Sequence, residues 1–204
     1  MGIINISIIG ASGRMGMAIV EESKKISNFQ IKYLVEAKGH ESVGSTLDNV
    51  IVTDRVDKSI KESDVIIDFS SPKSTLNLMK SINRKDTPAL VIGTTGFTKK
   101  QEEEFERVKR GLKVLRASNM SIGVNLMFNL TKQLTKTLPD DANVEILDTH
   151  HKLKKDTPSG TSLSLGEEVK SGKKNGKNSH LEKKIRNLIP TVFRRNFSRG
   201  RYVA

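Results

Sequence analysis

The stretch from Ile3 to Lys25 constrains this chain most. Ile3-Ile4-Asn5-Ile6-Ser7-Ile8-Ile9 is a short β-branched run that reads as a buried strand. It passes into Gly10-Ala11-Ser12-Gly13-Arg14-Met15-Gly16 and then a helical stretch to about Lys25. Strand, glycine turn and helix in this order open a βαβ unit, and the G-x-x-G-x-x-G spacing is a variant of the dinucleotide-binding turn. Gly10 makes the tight turn, Gly13 admits a pyrophosphate to the helix N-terminus, and Gly16 lets helix and strand pack closely. Arg14 adds a cation beside the phosphates. A glycine-rich βα turn with no ligand fits the motif alone, so its context decides.

That context is supportive. Gln30 to Val35 reads as a second strand, and Glu36 ends it twenty positions beyond Gly16, where an acid accepts hydrogen bonds from adenosine ribose hydroxyls. Lys38 is placed to meet a 2′-phosphate, which leaves NADPH and NADH both open as cofactors. A polar loop, Gly39 to Asn49, precedes a Val50-Ile51-Val52 strand, and Asp64 to Ser70 forms another. Ser71-Pro72 starts a helix, Ala89 to Ile92 is a fifth strand ending in Gly93-Thr94-Thr95-Gly96, and Thr98 with Gln101 makes a capping box for a charged helix, Lys99 to Arg110. A sixth strand, Lys113 to Arg116, leads into Ala117-Ser118-Asn119-Met120. Strands alternating with helices predict an α/β, Rossmann-type doubly wound parallel sheet over residues 1–120. Ligands of such sheets sit at the carboxyl ends of strands, where all these loops fall.

Beyond Met120 the pattern changes. Leu126 to Leu138 has helical apolar spacing at Leu126, Leu130, Leu134 and Leu138, with Met127 and Phe128 read as core. Val144 to Thr149 alternates like a strand and delivers His150-His-Lys-Leu-Lys-Lys-Asp-Thr-Pro-Ser-Gly-Thr161. Two imidazoles and Lys152, Lys154 and Lys155 gather there, ahead of a Ser-Gly-Thr turn that opens a helix. Imidazole moves protons near neutral pH, ammonium groups favour an anionic substrate, and a helix N-terminus binds carboxylate. An ordinary lysine-bearing loop with a serine cap is the simpler reading for Lys155 alone; for the cluster, function is the better one.

Composition narrows the class. There is no cysteine, hence no disulfide and no thiolate metal site, and the four histidines lack metal-ligand spacing, so no metal is expected. No apolar run spans a bilayer and no secretory pattern opens the chain, so a cytoplasmic protein without membrane contact is the expectation. The net charge of +12 invites a nucleic-acid reading. From Lys170 to Ala204, however, eleven lysines and arginines face Glu182 alone, so the basicity belongs to the tail. With only Phe193, Phe197 and Tyr202 for stacking, nucleic acid is not an expected partner.

Together these residues resemble the 4-hydroxy-tetrahydrodipicolinate (dihydrodipicolinate) reductase family of bacterial diaminopimelate and lysine synthesis. The likeness rests on Gly10-x-x-Gly-Arg-Met-Gly16, Glu36, Asp68-Phe69-Ser70, Gly93-Thr-Thr-Gly96, Asn119-Met-Ser-x-Gly-Val-Asn125 and His150-His-x-x-Lys-x-Asp-x-Pro-Ser-Gly-Thr161, in the family's order from about Ile3 to Lys170. It implies that Gly10, Ala11, Ser12, Gly13, Arg14, Met15, Glu36, Gly93, Thr94, Thr95, Ala117, Ser118, Asn119 and Met120 hold NADPH or NADH. It implies His150 as the acid/base group, Lys154 as second proton donor, and His151, Gly160 and Thr161 as ligands of a dicarboxylate substrate. A homotetramer built through the second domain's sheet is also implied. After Val169 the family's arginine- and glycine-rich strand segments are not found, and a charged, apolar-poor stretch takes their place. The expected layout is therefore a dinucleotide-binding domain over 1–120, the start of an incomplete α+β substrate domain over 121–170, and a basic, atypical tail over 171–204. Truncation or a frame shift is preferred over divergence as its origin.

Overall fold

The computed structural model describes residues 2–83, 88–139, 142–149 and 159–173. The chain divides into two compact units, Met1–Met120 and Ser121–Ala204.

In the first unit β1 (Ile4–Ile9) is followed by α1 (Arg14–Ser23), β2 (Phe29–Val35), β3 (Thr46–Leu47), β4 (Val50–Thr53), α2 (Val56–Glu62), β5 (Val65–Asp68), α3 (Pro72–Ser81), β6 (Ala89–Ile92), α4 (Lys99–Val108) and β7 (Val114–Arg116). The seven strands lie in the order β3-β4-β2-β1-β5-β6-β7, all pairs parallel except β3 with β4. The chain leaves β1 for β2 on one side and later for β5 on the other. The gap between β1 and β5 is thus the switch point, where a crevice opens at the carboxyl ends.

Alternate residues of each strand feed opposite faces. Ile8 and Leu34 pack with Val20 of α1 and Val52. Ile9 and Val35 pack with Ile60 of α2, Leu76 and Met79 of α3, and Phe105 of α4. Helices on both faces cover a central β1 whose last four residues are buried.

Local signals explain most boundaries. Ser71 Oγ accepts from Ser74 N at 3.4 Å with Pro72 at the first helical position, and the Thr98–Gln101 capping box closes both ways at the head of α4. Two elements carry too little local signal for the sequence to announce them. The second half of the Gly39–Asn49 loop is a hairpin, because Asp48 and Asn49 take φ of 52° and 60° and form the tight turn that right-twisted strands favour. Helix α2 carries only Val56 and Ile60 at apolar spacing, too little periodicity to stand out.

At the end of β7, Arg116 locks the sheet to α4. Its guanidinium donates to Glu102 Oε2 and Oε1 at 2.6 and 2.7 Å. It also lies 4.4 Å from the ring centre of Phe97 and 4.3 Å from that of Phe105. Lysine offers neither the planar fork nor the stack. Replacing Arg116 with lysine is expected to cost about 1 kcal/mol after discounting for partial exposure. Thermal unfolding checks this, and an unchanged midpoint would show that the stack contributes nothing.

In the second unit α5 (Ile122–Thr137), capped by Ser121, begins four residues ahead of the expected start, and α6 (Gly160–Gly172) packs against it. The close approach is made by Gly172: a Cβ there would lie 2.7 Å from both Lys132 O and Thr135 Cβ. The leucine spacing identifies the helix but not its buried face. Phe128 and Thr135 are buried, whereas Leu126, Leu130 and Leu134 are 58%, 48% and 66% exposed, and Met127 is exposed too. Small residues, which allow backbones to approach, set the α5–α6 contact instead. The expected strand over 144–149 is also corrected: residues 142–149 alternate between half-buried and exposed but pair with no strand among the described residues. Alternation marks an extended segment with one covered face, and Ile146 does reach over Gly166 of α6. A strand further requires a ladder partner.

Candidate functional site

The glycine turn is tied to the neighbouring strand end. Gly10 N donates to Val35 O at 2.9 Å, and Gly10 takes φ of 77°, a conformation L side chains rarely adopt. Gly13 N-caps α1 without a side-chain bond, and no acidic residue occupies the helix's first turn. An added Cβ on Gly13 would meet only Gly10 O, at 3.2 Å. A helix N-terminus with no side-chain cap and no acidic residue in its first turn, with Arg14 at its head, fits a pyrophosphate.

Glu36 closes the turn from the other side. Its Oε1 accepts from Ser12 N at 2.8 Å, while Glu36 N donates to Thr53 O at 2.9 Å. Ser12 Oγ continues to Ser42 Oγ at 2.7 Å, and Ser42 Oγ lies 2.8 Å from His40 Nδ1. Thus Glu36 stands at the end of β2 beside the turn, in reach of a ribose lying there. The Ser12–Ser42–His40 chain has no sequence signature, since nothing in the spacing of Ser42 and His40 announces it.

Across the switch point, Phe69 lies over Gly93, whose added Cβ would sit 2.0 Å from the Phe69 ring. Gly93 N donates to Asp68 O at 2.9 Å and Ala117 N to Ile92 O at 3.2 Å. Gly10 to Met15, Glu36, Gly93 to Thr95 and Ala117 to Met120 accordingly come to the carboxyl edge of one sheet. Beneath them is a group with no assigned role. Asp68 is fully buried at the end of β5. Its Oδ1 accepts from Ser70 N at 2.9 Å and Ser70 Oγ at 2.5 Å, and its Oδ2 accepts from Thr75 Oγ1 at 2.6 Å. Thr94 Oγ1 lies 3.0 Å from Thr75 Oγ1 and 3.4 Å from Asp68 O. Its sequence signals are an acid closing the apolar run Val65-Ile66-Ile67 and its place in the Asp68-Phe69-Ser70 motif, neither of which announces burial.

Burial pushes the Asp68 carboxyl above its ordinary value, against the donors of Ser70, Thr75 and Thr94, which pull it down. A folded value above the unfolded one means that stability from this group is fully present below the unfolded value, near 3.8, and is lost as pH rises through the folded value. The groups around it are hydroxyls and backbone, so no neighbouring charge reverses the sign. The stability of the natural protein relative to Asp68→Asn is therefore expected to be greatest at about pH 4 and to fall toward neutrality. Paired melting curves across that range check this, and a difference that grows with pH would refute it.

In the second unit α6 starts at Ser159, whose Oγ accepts from Ser162 N at 3.1 Å and whose N donates to Asp148 Oδ2 at 2.9 Å. Gly160 and Thr161 occupy the first turn, again without an acidic residue. His150, His151 and Lys154 lie outside the described residues. Among the described residues no cluster of histidine and carboxylate side chains would hold a metal ion, and no helix is long and apolar enough to cross a membrane.

Known proteins share both parts. The dihydrodipicolinate reductase N-terminus matches residues 4–120 and the corresponding C-terminus residues 123–195. The likeness thus runs past Lys170, where the motifs alone end. A 4-hydroxy-tetrahydrodipicolinate reductase of Pelagibacter ubique is 37% identical over 184 residues, 90% of this chain and 70% of the relative. That of Rickettsia bellii is 44% identical over 171 residues, 84% of this chain and 63% of the relative. The structure of a dipicolinate-bound dihydrodipicolinate reductase from Paenisporosarcina sp. TG-14 superposes with a TM-score of 0.66 at 25% identity, over 87% of this chain and 69% of that one. The chain thus spans roughly two thirds of the length of such relatives. With both halves matched and a nucleotide-binding unit in place, the chain belongs to the dihydrodipicolinate reductase family.

Proposed function

We propose that this chain reduces 4-hydroxy-tetrahydrodipicolinate to tetrahydrodipicolinate with NADPH or NADH, a step of diaminopimelate and lysine synthesis. The carrying observation is the turn at Gly10–Gly16, with its uncapped helix N-terminus and Glu36 fastened beside it at the sheet's switch point. Gly10 to Met15 hold the pyrophosphate, Glu36 the adenosine ribose, and Gly93 to Thr95 with Ala117 to Met120 the other half. The bound cofactor supplies the hydride.

The chain's own residues supply the rest. Loss of the 4-hydroxyl as water leaves a conjugated imine, and hydride delivery to it must be followed by a proton, which His150 donates, with Lys154 as second donor. His151, Gly160 and Thr161 bind the substrate's carboxylates; a helix N-terminus and an imidazole suit that charge. Assembly as a homotetramer belongs to the same reading and is read by the mass of the purified protein in solution.

The test follows the absorbance of NADPH and of NADH with purified chain and the aldolase product that feeds this step. Substrate-dependent oxidation of either cofactor supports the reading. Folded protein that binds cofactor and never turns it over defeats it.

A further inference from the structure

Asp68 carries a cost that packing does not explain. It is a carboxylate with no exposed surface, and no ion pair to it forms among the described residues. Three hydrogen bonds from Ser70 and Thr75 satisfy it as an anion. Burying a charge on two hydroxyls and one backbone N–H, with no cation, is expensive, and a neutral side chain of the same shape would hold these loops for less. Asparagine would serve: its oxygen accepts from Ser70, its amide donates to Thr75 Oγ1, and the Thr75 proton turns to Thr94 Oγ1, already 3.0 Å away. What asparagine lacks is the charge.

The location suggests what that charge does. The proposed function puts the adenosine ribose at Glu36 on the β2 side and the pyrophosphate at the head of α1. The nicotinamide half then extends to the opposite side of the switch point, over the ends of β5 and β6. Those ends are Phe69-Ser70 and Gly93-Thr94, and Asp68 lies directly below both, bonded to Ser70 and Thr75 and close to Thr94.

We propose that Asp68 is a buried negative pole beneath the nicotinamide half of the site, favouring the oxidised cofactor, whose ring is positively charged, over the reduced one, whose ring is neutral, and so easing departure of the hydride. The carboxylate touches neither reactant and gives up no proton. It acts through its field, which a buried position screens less than an exposed one. Ser70, Thr75 and Thr94 aim it, and their hydrogen bonds favour its charged form against the burial that opposes it. This rests on the reductase reading and deepens it, because the field matters only if a nicotinamide ring lies above.

The experiment measures dissociation constants of NAD⁺ and NADH for the full chain, by calorimetry and by quenching or enhancement of NADH fluorescence, without substrate. Asp68→Asn is expected to weaken NAD⁺ relative to NADH by roughly fivefold. Asp68→Ser, also neutral, should give the same change of ratio and serves should the asparagine variant fail to fold. Asp68→Glu shifts the side chain but retains a carboxylate, so it should alter both constants by a common factor. If neutral variants at Asp68 also shift both forms equally, the residue only shapes the loops and the proposal fails. If the natural chain binds neither form, the reductase reading fails and takes this one with it. Binding with an unchanged ratio sinks only the role of Asp68.

Discussion

Replacing Gly16 with alanine is expected to abolish cofactor binding and to destabilise the first unit by about 3 kcal/mol, the upper range for forced overpacking. The added Cβ would lie 2.2 Å from Gly10 O, 2.6 Å from Ala11 O and 2.7 Å from Ala11 C. All three are backbone atoms of the turn itself, so no side chain can swing aside. Either α1 lifts off β1 or the turn opens. Lifting α1 uncovers Val20 and Ile8, both buried in the smaller core cluster; opening the turn breaks the bond from Gly10 N to Val35 O. The melting temperature should fall by roughly 10 °C, and NADH should no longer gain fluorescence in the presence of the variant. Alanine at Gly39 is a useful contrast: that glycine has positive φ, which Gly16 does not, but an added Cβ there meets nothing within 4 Å. It should cost only the backbone strain, about 1 kcal/mol. A Gly16 variant that melts and binds like the natural protein would mean that the helix–strand approach in solution is looser than the structure shows.

The contrast between Gly16 and Gly39 also marks how far a local sequence signal carries: residue type is the same at both, and only the backbone and the packing around each separate them. The first unit is legible in the sequence because each of its parts announces itself locally: β-branched runs at Ile3–Ile9 and Ala89–Ile92, a Ser-Pro start at Ser71, a capping box at Thr98. Their repetition then implies a parallel sheet, and the sheet implies where a ligand goes. Three things are not legible, for different reasons. The β3–β4 hairpin depends on two consecutive left-handed residues, and Asp48-Asn49 is a weaker turn signal than a pair containing glycine. The packing face of α5 depends on its neighbour: Gly172 admits Thr135 and Lys132 and leaves the leucine stripe outside. The segment 142–149 alternates as a strand should, yet pairing is a property of two segments, and no periodicity in one supplies the other.

The same reasoning separates the two halves of the candidate site. Residues of the glycine turn, Glu36 and the β6 and β7 ends can be placed together from sequence because one sheet gathers them at one edge. Asp68 is visible there as part of a strand end, but its role is not, since a carboxylate at the end of β5 could equally point into solvent. Its complete burial and its hydroxyl partners are facts of packing. The chemistry assigned to His150 is the reverse case, read from residue type and resemblance and lying outside the described residues.

That assignment carries the second large effect. His150→Gln is expected to lower kcat by about 10²–10⁴-fold, the usual contribution of a positioned general acid, or some 3–5 kcal/mol of barrier. Glutamine keeps a polar side chain of similar reach but offers no titratable proton at neutral pH. Dissociation constants for NADH and NADPH should stay within about twofold of the natural chain's, because the groups proposed to hold the cofactor all belong to the unit Met1–Met120 and His150 does not. A fall in kcat with intact cofactor affinity is thus the signature of a lost proton donor, whereas parallel loss of both would point to damage of the fold. Lys154→Met in the same background tests the second donor. If the two groups serve one proton transfer, the double variant should be little slower than His150→Gln alone, since groups acting as a unit are not additive. Turnover by His150→Gln within about twofold of the natural rate would remove His150 from the mechanism and leave Lys154 as the group that must deliver the proton.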